Sequence, residues 1–295
     1  MSKIQIRGIF LAFVGVAMFS LSLPMTHWAL ETYSPLFTAT ARAVIAAILA
    51  ITFLLIAKER LTPPSHRKEF FYTMAGAVFG WPILIALALQ RTQTAPTAVI
   101  ASIMPLVTAV IAVLRGHEKV SKQFWVASIL GTAILIIFTS SKGPVNSKDL
   151  IADLLVIGAV FASSFCYVQG AELTYIYPGW KVISWVVIAA LPITIPSSII
   201  LWFTNERSHH LTTHAWVGML VIGCSSMYLG FIPWYQGLKD AGTARGSQIQ
   251  QLQVFGTLGW SVLLFKETIP STTLICTIGI VVAVTWALFA RRKQS

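Results

Sequence analysis

The sequence predicts an all-α integral membrane protein with ten transmembrane helices, arranged as two inverted repeats of five helices. Three observations lead to this fold class. Of the 295 residues, 56% are hydrophobic and only 11% are charged, whereas a soluble protein carries about 25% charged residues. The apolar residues form long runs separated by short polar connections, and the mean hydropathy is +0.76. The two halves of the chain also resemble each other weakly.

The apolar runs are each long enough to cross a bilayer as a helix, which takes about 20 residues. They are continuous rather than alternating, so helices are favoured over the strands of a membrane barrel. Because the connections are short, no soluble domain is expected. In chain order, the predicted spans are 8–30, 35–57, 69–90, 94–115, 123–140, 150–173, 180–203, 215–238, 243–265 and 271–290.

Basic residues outnumber acidic ones, with 21 Lys and Arg against 10 Asp and Glu. In a soluble protein this excess would suggest nucleic acid as a partner. Here the positive charges lie in short clusters between apolar runs, so membrane orientation explains them better. The expected partners are therefore the lipid bilayer and a small-molecule substrate, with no nucleic acid.

The distribution of these basic residues predicts the orientation, because cytoplasmic loops are enriched in Lys and Arg. If the N-terminus is inside, the cytoplasmic side holds Lys3, Arg7, Lys58, Arg60, Arg67, Lys68, Arg115, Lys119, Lys122, Lys181, Lys239, Arg245, Arg291, Arg292 and Lys293. The outer side then holds only Arg91, Lys142, Lys148, Arg207 and Lys266. Both termini are therefore predicted to be cytoplasmic, in a plasma membrane such as the bacterial inner membrane.

Weak internal similarity supports the division into two halves. GVAMFSLSLPMTHWAL at 15–30 aligns with GAVFASSFCYVQGAEL at 158–173, and residues 95–118 align with 244–267. Each half has an odd number of spans, so the second copy is inverted relative to the first. Inverted repeats place the functional site near the bilayer midplane, where the halves meet. The two predicted repeats, which form one membrane domain, are 1–147 and 148–295.

Several motifs follow one another in a characteristic order. A first helix rich in small residues is followed by YSPLFTATAR at 33–42 and by SIMPLVTAVIAVLRGHE at 102–118, and the second half ends in SQIQQLQVFGTLGWSVLLFKE at 247–267. In this order, and over nearly its whole length, the chain resembles the drug/metabolite transporter superfamily, EamA type. The resemblance implies a secondary carrier of small metabolites, often an amino acid exporter, without a bound cofactor. One departure is Val254, where family members often have a proline that matches Pro105 of the first half.

Four glutamines interrupt the ninth predicted helix: Gln248, Gln250, Gln251 and Gln253. Gln250 is expected roughly 10 Å below the inner surface and Gln253 roughly 15 Å below it, at the bilayer centre. On a helical wheel, Gln248 and Gln251 share one face and Gln250 and Gln253 share another. Bonding between packed helices is one role for such residues. We expect at least one of them to line a substrate path, since an amide offers donors and an acceptor without burying a charge.

Other candidates for substrate contact are predicted at a similar depth. Trp81 lies in the middle of the third helix, Met104 in the fourth and Tyr228 in the eighth. The two rings are too deep for the aromatic belts at the membrane surfaces, and packing in the core is the alternative role. Pro82 and Pro105 predict kinks, because proline lacks the N–H that the carbonyl of the preceding turn needs.

Arg42 lies about seven residues into the second helix, roughly 10 Å below the outer surface. An ionisable residue inside a membrane indicates function by default, which here is binding of a substrate carboxylate. The alternatives are an ion pair with Glu31 or Asp153, or snorkelling to the surface. Tyr167 on the sixth helix and Trp185 on the seventh are further candidates for a central cavity.

Two other groups of residues are interpreted as architecture. Glu118 and Glu267 end the fourth and ninth helices at matching places, where the helix dipole disfavours an anion, so each is expected to have a specific partner. His210 and His214 have a spacing that suits two ligands on one helical face. Without a Glu or Cys in the pattern, however, no metal site is predicted.

The sequence lacks the motifs of an enzyme, such as a P-loop, a His-Glu-x-x-His helix or a pair of midplane carboxylates. The favoured hypothesis is a secondary transporter that exports a small polar or zwitterionic metabolite, such as an amino acid, by alternating access through a central cavity. One alternative is a non-transporting scaffold or subunit. Another is a carrier of anionic phosphorylated metabolites, which needs two or more basic residues at the centre, where only Arg42 is available. The sequence does not distinguish a monomer from a homo-oligomer.

Overall fold

A computed structural model describes residues 3–115, 121–140, 147–206, 212–266 and 268–289. All regular secondary structure in these ranges is helical. Six helices are long enough and apolar enough to cross a membrane, and a bent pair adds a seventh if it crosses as one span. The prediction of a multi-pass helical membrane protein is therefore confirmed, while ten spans and the orientation stay predictions.

We number the helical segments in chain order and count the pieces of one predicted span together. In the first half they are α1 (Lys3–Leu30), α2 (Pro35–Ile56), α3 (Arg67–Leu89), α4 (Thr94–Leu114) and α5 (Lys122–Ser140). In the second half they are α6 (Ser147–Thr174), α7 (Gly179–Ala189 and Leu191–Glu206), α8 (Thr213–Ala241), α9 (Thr243–Gln248, Ile249–Gln251 and Leu252–Phe265) and α10 (Ser271–Phe289).

The helices pair between the two halves of the chain. α1 packs against α8, α2 against α7, α3 against α6, α4 against α9, and α5 against α10. Glycines allow two of these pairs to approach closely: a methyl group at Gly15 would lie 2.9 Å from the Gly230 carbonyl oxygen, and one at Gly80 would lie 2.5 Å from the Ala162 Cβ. The pairs α1–α8 and α3–α6 are equivalent if α1 corresponds to α6 and α3 to α8, as the predicted repeat requires.

Six helices depart from regular α-helical hydrogen bonding along their length. α1 is interrupted between Phe19 and Ser22, and α7 is bent after Ala189 and ends in a π-helical segment at Trp202–Glu206. α3 and α8 contain π-helical segments at Ala75–Gly80 and Ile222–Leu229, and α9 contains the 3₁₀ turn Ile249–Gln251. α4 is interrupted after Ala101 and resumes at Met104. Such irregular turns inside helices are frequent at functional positions.

Pro82 and Pro105 each lie in the first turn of the helical piece that follows an irregular stretch. Neither proline has an N–H to donate, so the carbonyl four residues earlier loses its usual partner. The irregular stretches of α3 and α4 end next to these residues, which is where the sequence predicts kinks.

One end of the bundle, which we call the Arg7 end, is held by ion pairs between helix ends. Each pair joins a helix of the first half to a helix of the second. The sequence-based orientation assigns the three basic residues to the same side of the membrane, and the structure brings them to the same end of the bundle. The pairs are Arg7–Asp240 at 2.6 Å, Lys181–Glu59 at 2.7 Å and Arg115–Glu172 at 3.5 Å.

The opposite end, which we call the Trp28 end, is held mainly by aromatic contacts. Trp28 of α1 stacks on His214 of α8, with ring centroids 4.8 Å apart. Both carboxylate oxygens of the buried Glu206 accept the Ser34 N–H at 3.2 Å. Burial, together with the nearby charge of Glu206, raises the pKa of the Tyr33 hydroxyl to about 12.

Candidate functional site

Two small cavities lie side by side between the helices and share Trp81 and Gln253. Each holds about 20 Å³, which is room for about one ordered water. The cavity that we call the Arg42 cavity is lined by Phe19, Ser22, Arg42, Ala77, Trp81, Ser163, Tyr167, Ser226, Met227, Phe231 and Gln253. The one that we call the Gln250 cavity is lined by Leu23, Trp81, Ala98, Ala101, Ser102, Met104, Gln250, Gln253, Val254 and Thr257.

Gln250 and Gln253 reach these cavities, as one face of the helical wheel suggests. Gln250 Nε2 donates to the Tyr167 hydroxyl at 3.2 Å and lies 3.0 Å from Met104 Sδ. Gln253 Nε2 donates to the Phe19 carbonyl oxygen at 3.2 Å. Gln250 Oε1 is buried and accepts no hydrogen bond from the described part of the chain. An amide with an unused acceptor beside a cavity is available to a bound molecule.

Gln248 and Gln251 act on the backbone of their own helix instead. In the 3₁₀ turn, the Leu252 N–H points to the Ile249 carbonyl three residues back, and not to the Gln248 carbonyl. Gln251 Nε2 donates to that Gln248 carbonyl at 2.9 Å and also to Gln248 Oε1 at 3.0 Å. This pair therefore satisfies a break in the helical hydrogen bonding, and it lines neither cavity.

Arg42 of α2 is the charged member of the Arg42 cavity and is only 2% exposed. Its Nη2 donates to Ser226 Oγ at 2.8 Å, and its Nε has no acceptor among the described residues. The ion pairs within the described ranges involve other residues. The alternative in which Arg42 pairs with Glu31 or Asp153 is thus not found.

Tyr228 and Trp185 do not line either cavity. The Tyr228 hydroxyl lies 2.8 Å from Ser184 Oγ, and Tyr228 is fully buried between α2, α7 and α8. Trp185 Nε1 donates to the Arg60 carbonyl oxygen at 2.7 Å, in the connection between α2 and α3. The depth of Tyr228 along its helix suggested a central position, but its direction around the helix points it to Ser184. Trp185 lies near the start of α7 and reaches the connection at the end of the bundle.

Sequence reasoning missed three serines that line the Arg42 cavity: Ser22, Ser163 and Ser226. Ser22 Oγ is buried without a hydrogen-bond partner in the described structure. The signal for Ser22 and Ser163 was the run of small residues in α1 and its counterpart in α6, which is also what close helix packing requires.

Some sequence-based expectations concern residues that the structure does not describe. The predicted partners of Glu118 and Glu267, and the His210–His214 spacing, fall into this class because Glu118, His210 and Glu267 lie outside the described residues.

Comparisons with known proteins identify the family. The profile of the EamA-like transporter family matches residues 6–140 and 150–289. The chain belongs to the EamA-like transporter family. A relative from Bacillus subtilis (strain 168), the uncharacterized transporter YdeK, is 34% identical over 256 residues, which cover 86% of this chain and 88% of that protein.

The fold is also found among solved structures. One protein crystal structure aligns with 98% of this EamA-like chain and 99% of its own, with a TM-score of 0.73 and 16% identity. At that identity the likeness shows the fold alone. The family match and the relative together confirm the resemblance seen in the sequence, and they identify the chain as a membrane transporter.

Proposed function

We propose that this EamA-like protein is a secondary transporter that exports a small polar or zwitterionic metabolite, such as an amino acid, by alternating access through a central cavity. The observation that carries the proposal is the convergence of Arg42, Trp81, Tyr167 and Gln253, from four helices of both halves, on one cavity. Because about 20 Å³ is too small for a metabolite, the helices must move apart for a substrate to bind.

The contacts that close the two ends support this movement. Arg7–Asp240 at one end and Trp28–His214 at the other both join α1 to α8, and the remaining ion pairs also join the two halves. A rocking motion between halves would break one set while keeping the other. Exposed ion pairs and single ring contacts are worth only about 1 kcal/mol each, so they can open and close reversibly.

Four features support an inverted repeat as the basis of this motion. The helix pairs α1–α8 and α3–α6 are equivalent under it, and π-helical segments occur in both α3 and α8. α4 and α9 are both irregular near their middles. The family profile matches each half of the chain separately.

The proposed orientation puts the Arg7 end in the cytoplasm of a bacterial cell. The support is the excess of Lys and Arg in the connections at that end. Labelling of single cysteines introduced next to Lys58 and next to Arg91 tests it. In intact cells, a membrane-impermeant thiol reagent should modify the cysteine near Arg91 and spare the cysteine near Lys58.

A carrier of phosphorylated metabolites is less well supported. Such a carrier needs two or more basic groups around the phosphoryl oxygens. Among the described residues that line the Arg42 cavity, Arg42 is the one basic residue.

Flux measurements with purified protein in liposomes test the proposal. We expect saturable transport of at least one member of a panel of amino acids and related metabolites. Gln253→Ala should lower kcat/KM about tenfold, the scale of one lost hydrogen bond in a buried site. Gln123→Ala, an exposed glutamine at the start of α5, is the matched control and should transport normally. A folded protein that transports no member of the panel would contradict the proposal and favour a scaffold.

A further inference from the structure

We infer that Arg42 binds the carboxylate of the transported molecule, and that a carboxylate, rather than an ammonium, is the group that the site requires. This inference rests on the proposed function, because it takes the Arg42 cavity as the substrate site. It narrows the substrate class to small monocarboxylates, with or without an ammonium group, among which amino acids are one group.

No described Asp or Glu in the Arg42 cavity balances the charge of Arg42. The guanidinium is 98% buried, donates one hydrogen bond to the neutral Ser226, and shares its cavity with no described Asp or Glu. Burying a cation without an anion is unfavourable. Arg42 is therefore poorly explained as a stabilising residue, and an anion from outside the protein would complete the site.

Two residues of the Arg42 cavity have hydrogen-bonding atoms without partners in the described structure. Arg42 Nε is buried without an acceptor, and Ser22 Oγ, on the same cavity, is buried without a partner. The Nε and Nη atoms along one edge of a guanidinium match the two oxygens of a carboxylate. Arg42 and Ser22 together therefore offer donors to one carboxylate.

The remainder of the wall of the Arg42 cavity is aromatic, apolar or neutral polar. Phe19, Trp81 and Phe231 supply aromatic surface, and Ser163 and Gln253 supply neutral polar atoms. An ammonium group would meet only neutral acceptors there, whereas an apolar body would be well packed. The wall thus accepts an amine but has no charge that selects for one.

Ligand-dependent thermal unfolding of the purified protein in detergent tests the chemistry directly, without a transport assay. The probes are isovalerate, L-leucine, L-leucinamide and isoamyl alcohol, which share a branched apolar body. We expect the two carboxylates to raise the unfolding temperature in a saturable manner, and the amide and the alcohol to have no effect. Equal responses to all four compounds, or a response to leucinamide alone, would overturn the inference.

Variants of Arg42 separate a binding role from a structural one. Arg42→Gln removes the charge, so we expect its ligand-free unfolding temperature to equal or exceed that of the wild type while the response to carboxylates is lost. Arg42→Lys keeps a positive charge without the paired donors and should retain a response about tenfold weaker in affinity. Arg67→Gln, at an exposed position at the start of α3, is the control and should keep the full carboxylate response. If Arg42→Gln lowers the unfolding temperature and keeps the response, Arg42 is structural.

The outcomes separate this inference from the proposed function. If flux depends neither on the carboxylate of the substrate nor on Arg42, as tested with Arg42→Gln, the inference is overturned and the proposed transport function still holds. Carboxylate-specific stabilisation that depends on Arg42, without flux of any compound, supports the inference and contradicts transport. Absence of both stabilisation and flux overturns both.

Discussion

The centre of the bundle and its Arg7 end differ in whether their charged and polar groups have partners within the described structure. At the Arg7 end, Arg7 has Asp240 as a partner at 2.6 Å, and Lys181 has Glu59 at 2.7 Å. At the centre, Arg42 has no carboxylate among the described residues, and Gln250 Oε1 is buried without a donor. A buried polar atom without a partner costs about 1–3 kcal/mol. At the Arg7 end these charges are therefore paired within the protein, whereas the centre has polar atoms that the proposed substrate would pair.

Substitutions of two glutamines on α9 test this difference most directly, and we expect them to have the largest effects. Gln250→Ala removes a cavity residue, so flux should fall about tenfold to a hundredfold with little change in the free energy of unfolding. Gln251→Ala leaves the Gln248 carbonyl without its donor, so it should lower the free energy of unfolding by about 1–3 kcal/mol and preserve flux per folded molecule.

Reconstituted flux and denaturant unfolding of the same two preparations measure these effects. If both variants change the same property, whether flux or the free energy of unfolding, the two faces of α9 share one role and the distinction between them is wrong. Gln123→Ala again serves as the neutral variant.

The ion pair Arg7–Asp240 should show a smaller effect, of the kind expected at a closed end. Arg7 is 62% exposed and Asp240 only 6% exposed, so solvent screens the attraction. We expect a double-mutant cycle of Arg7→Gln and Asp240→Asn to give a coupling energy of about 0.5–1 kcal/mol that declines with added salt. A coupling energy of zero at low salt would show that the Arg7–Asp240 pair does not help to hold this end together.

The effect expected at the Trp28 end depends on pH. The pKa of Tyr33 is raised to about 12, whereas an unfolded tyrosine has a pKa of about 10. The folded state therefore holds this proton more tightly, so the contribution of Tyr33 is fully present below about pH 10 and is lost as the pH rises towards 12. Tyr33→Phe should flatten that part of the stability profile, and Tyr72→Phe, at an exposed position, should not.

The sequence was sufficient for the helical membrane fold, the family and the separation of the α9 glutamines into two faces. Each of these depends on periodicity, length or motif order, which are one-dimensional properties. It left open whether Arg42 binds a substrate carboxylate, pairs with Glu31 or Asp153, or snorkels to the surface; among the described residues the structure shows no such ion pair.

The positions of other site residues could not be predicted because they depend on rotation about the helix axis. Tyr228 has a suitable depth but points towards Ser184, and Trp185 points towards Arg60. Ser22 and Ser163 reach the Arg42 cavity, yet a serine in a membrane helix serves equally well for close packing. Only the arrangement of neighbouring helices distinguishes these cases.

The 3₁₀ turn of α9 accounts for the absence of a proline at Val254. In α4 the interruption precedes Pro105, whose missing N–H is permanent, whereas in α9 it is maintained by the amide of Gln251. If the Leu252 N–H took over the Gln248 carbonyl, the turn would become α-helical. Three residues would then change from about 120° to about 100° each, turning the rest of α9 by roughly 60° and shortening it by about 1.5 Å. This change in hydrogen bonding would rotate and shift part of α9, whereas the permanent interruption at Pro105 does not allow it in α4. Gln253 lies on the part of α9 that would rotate.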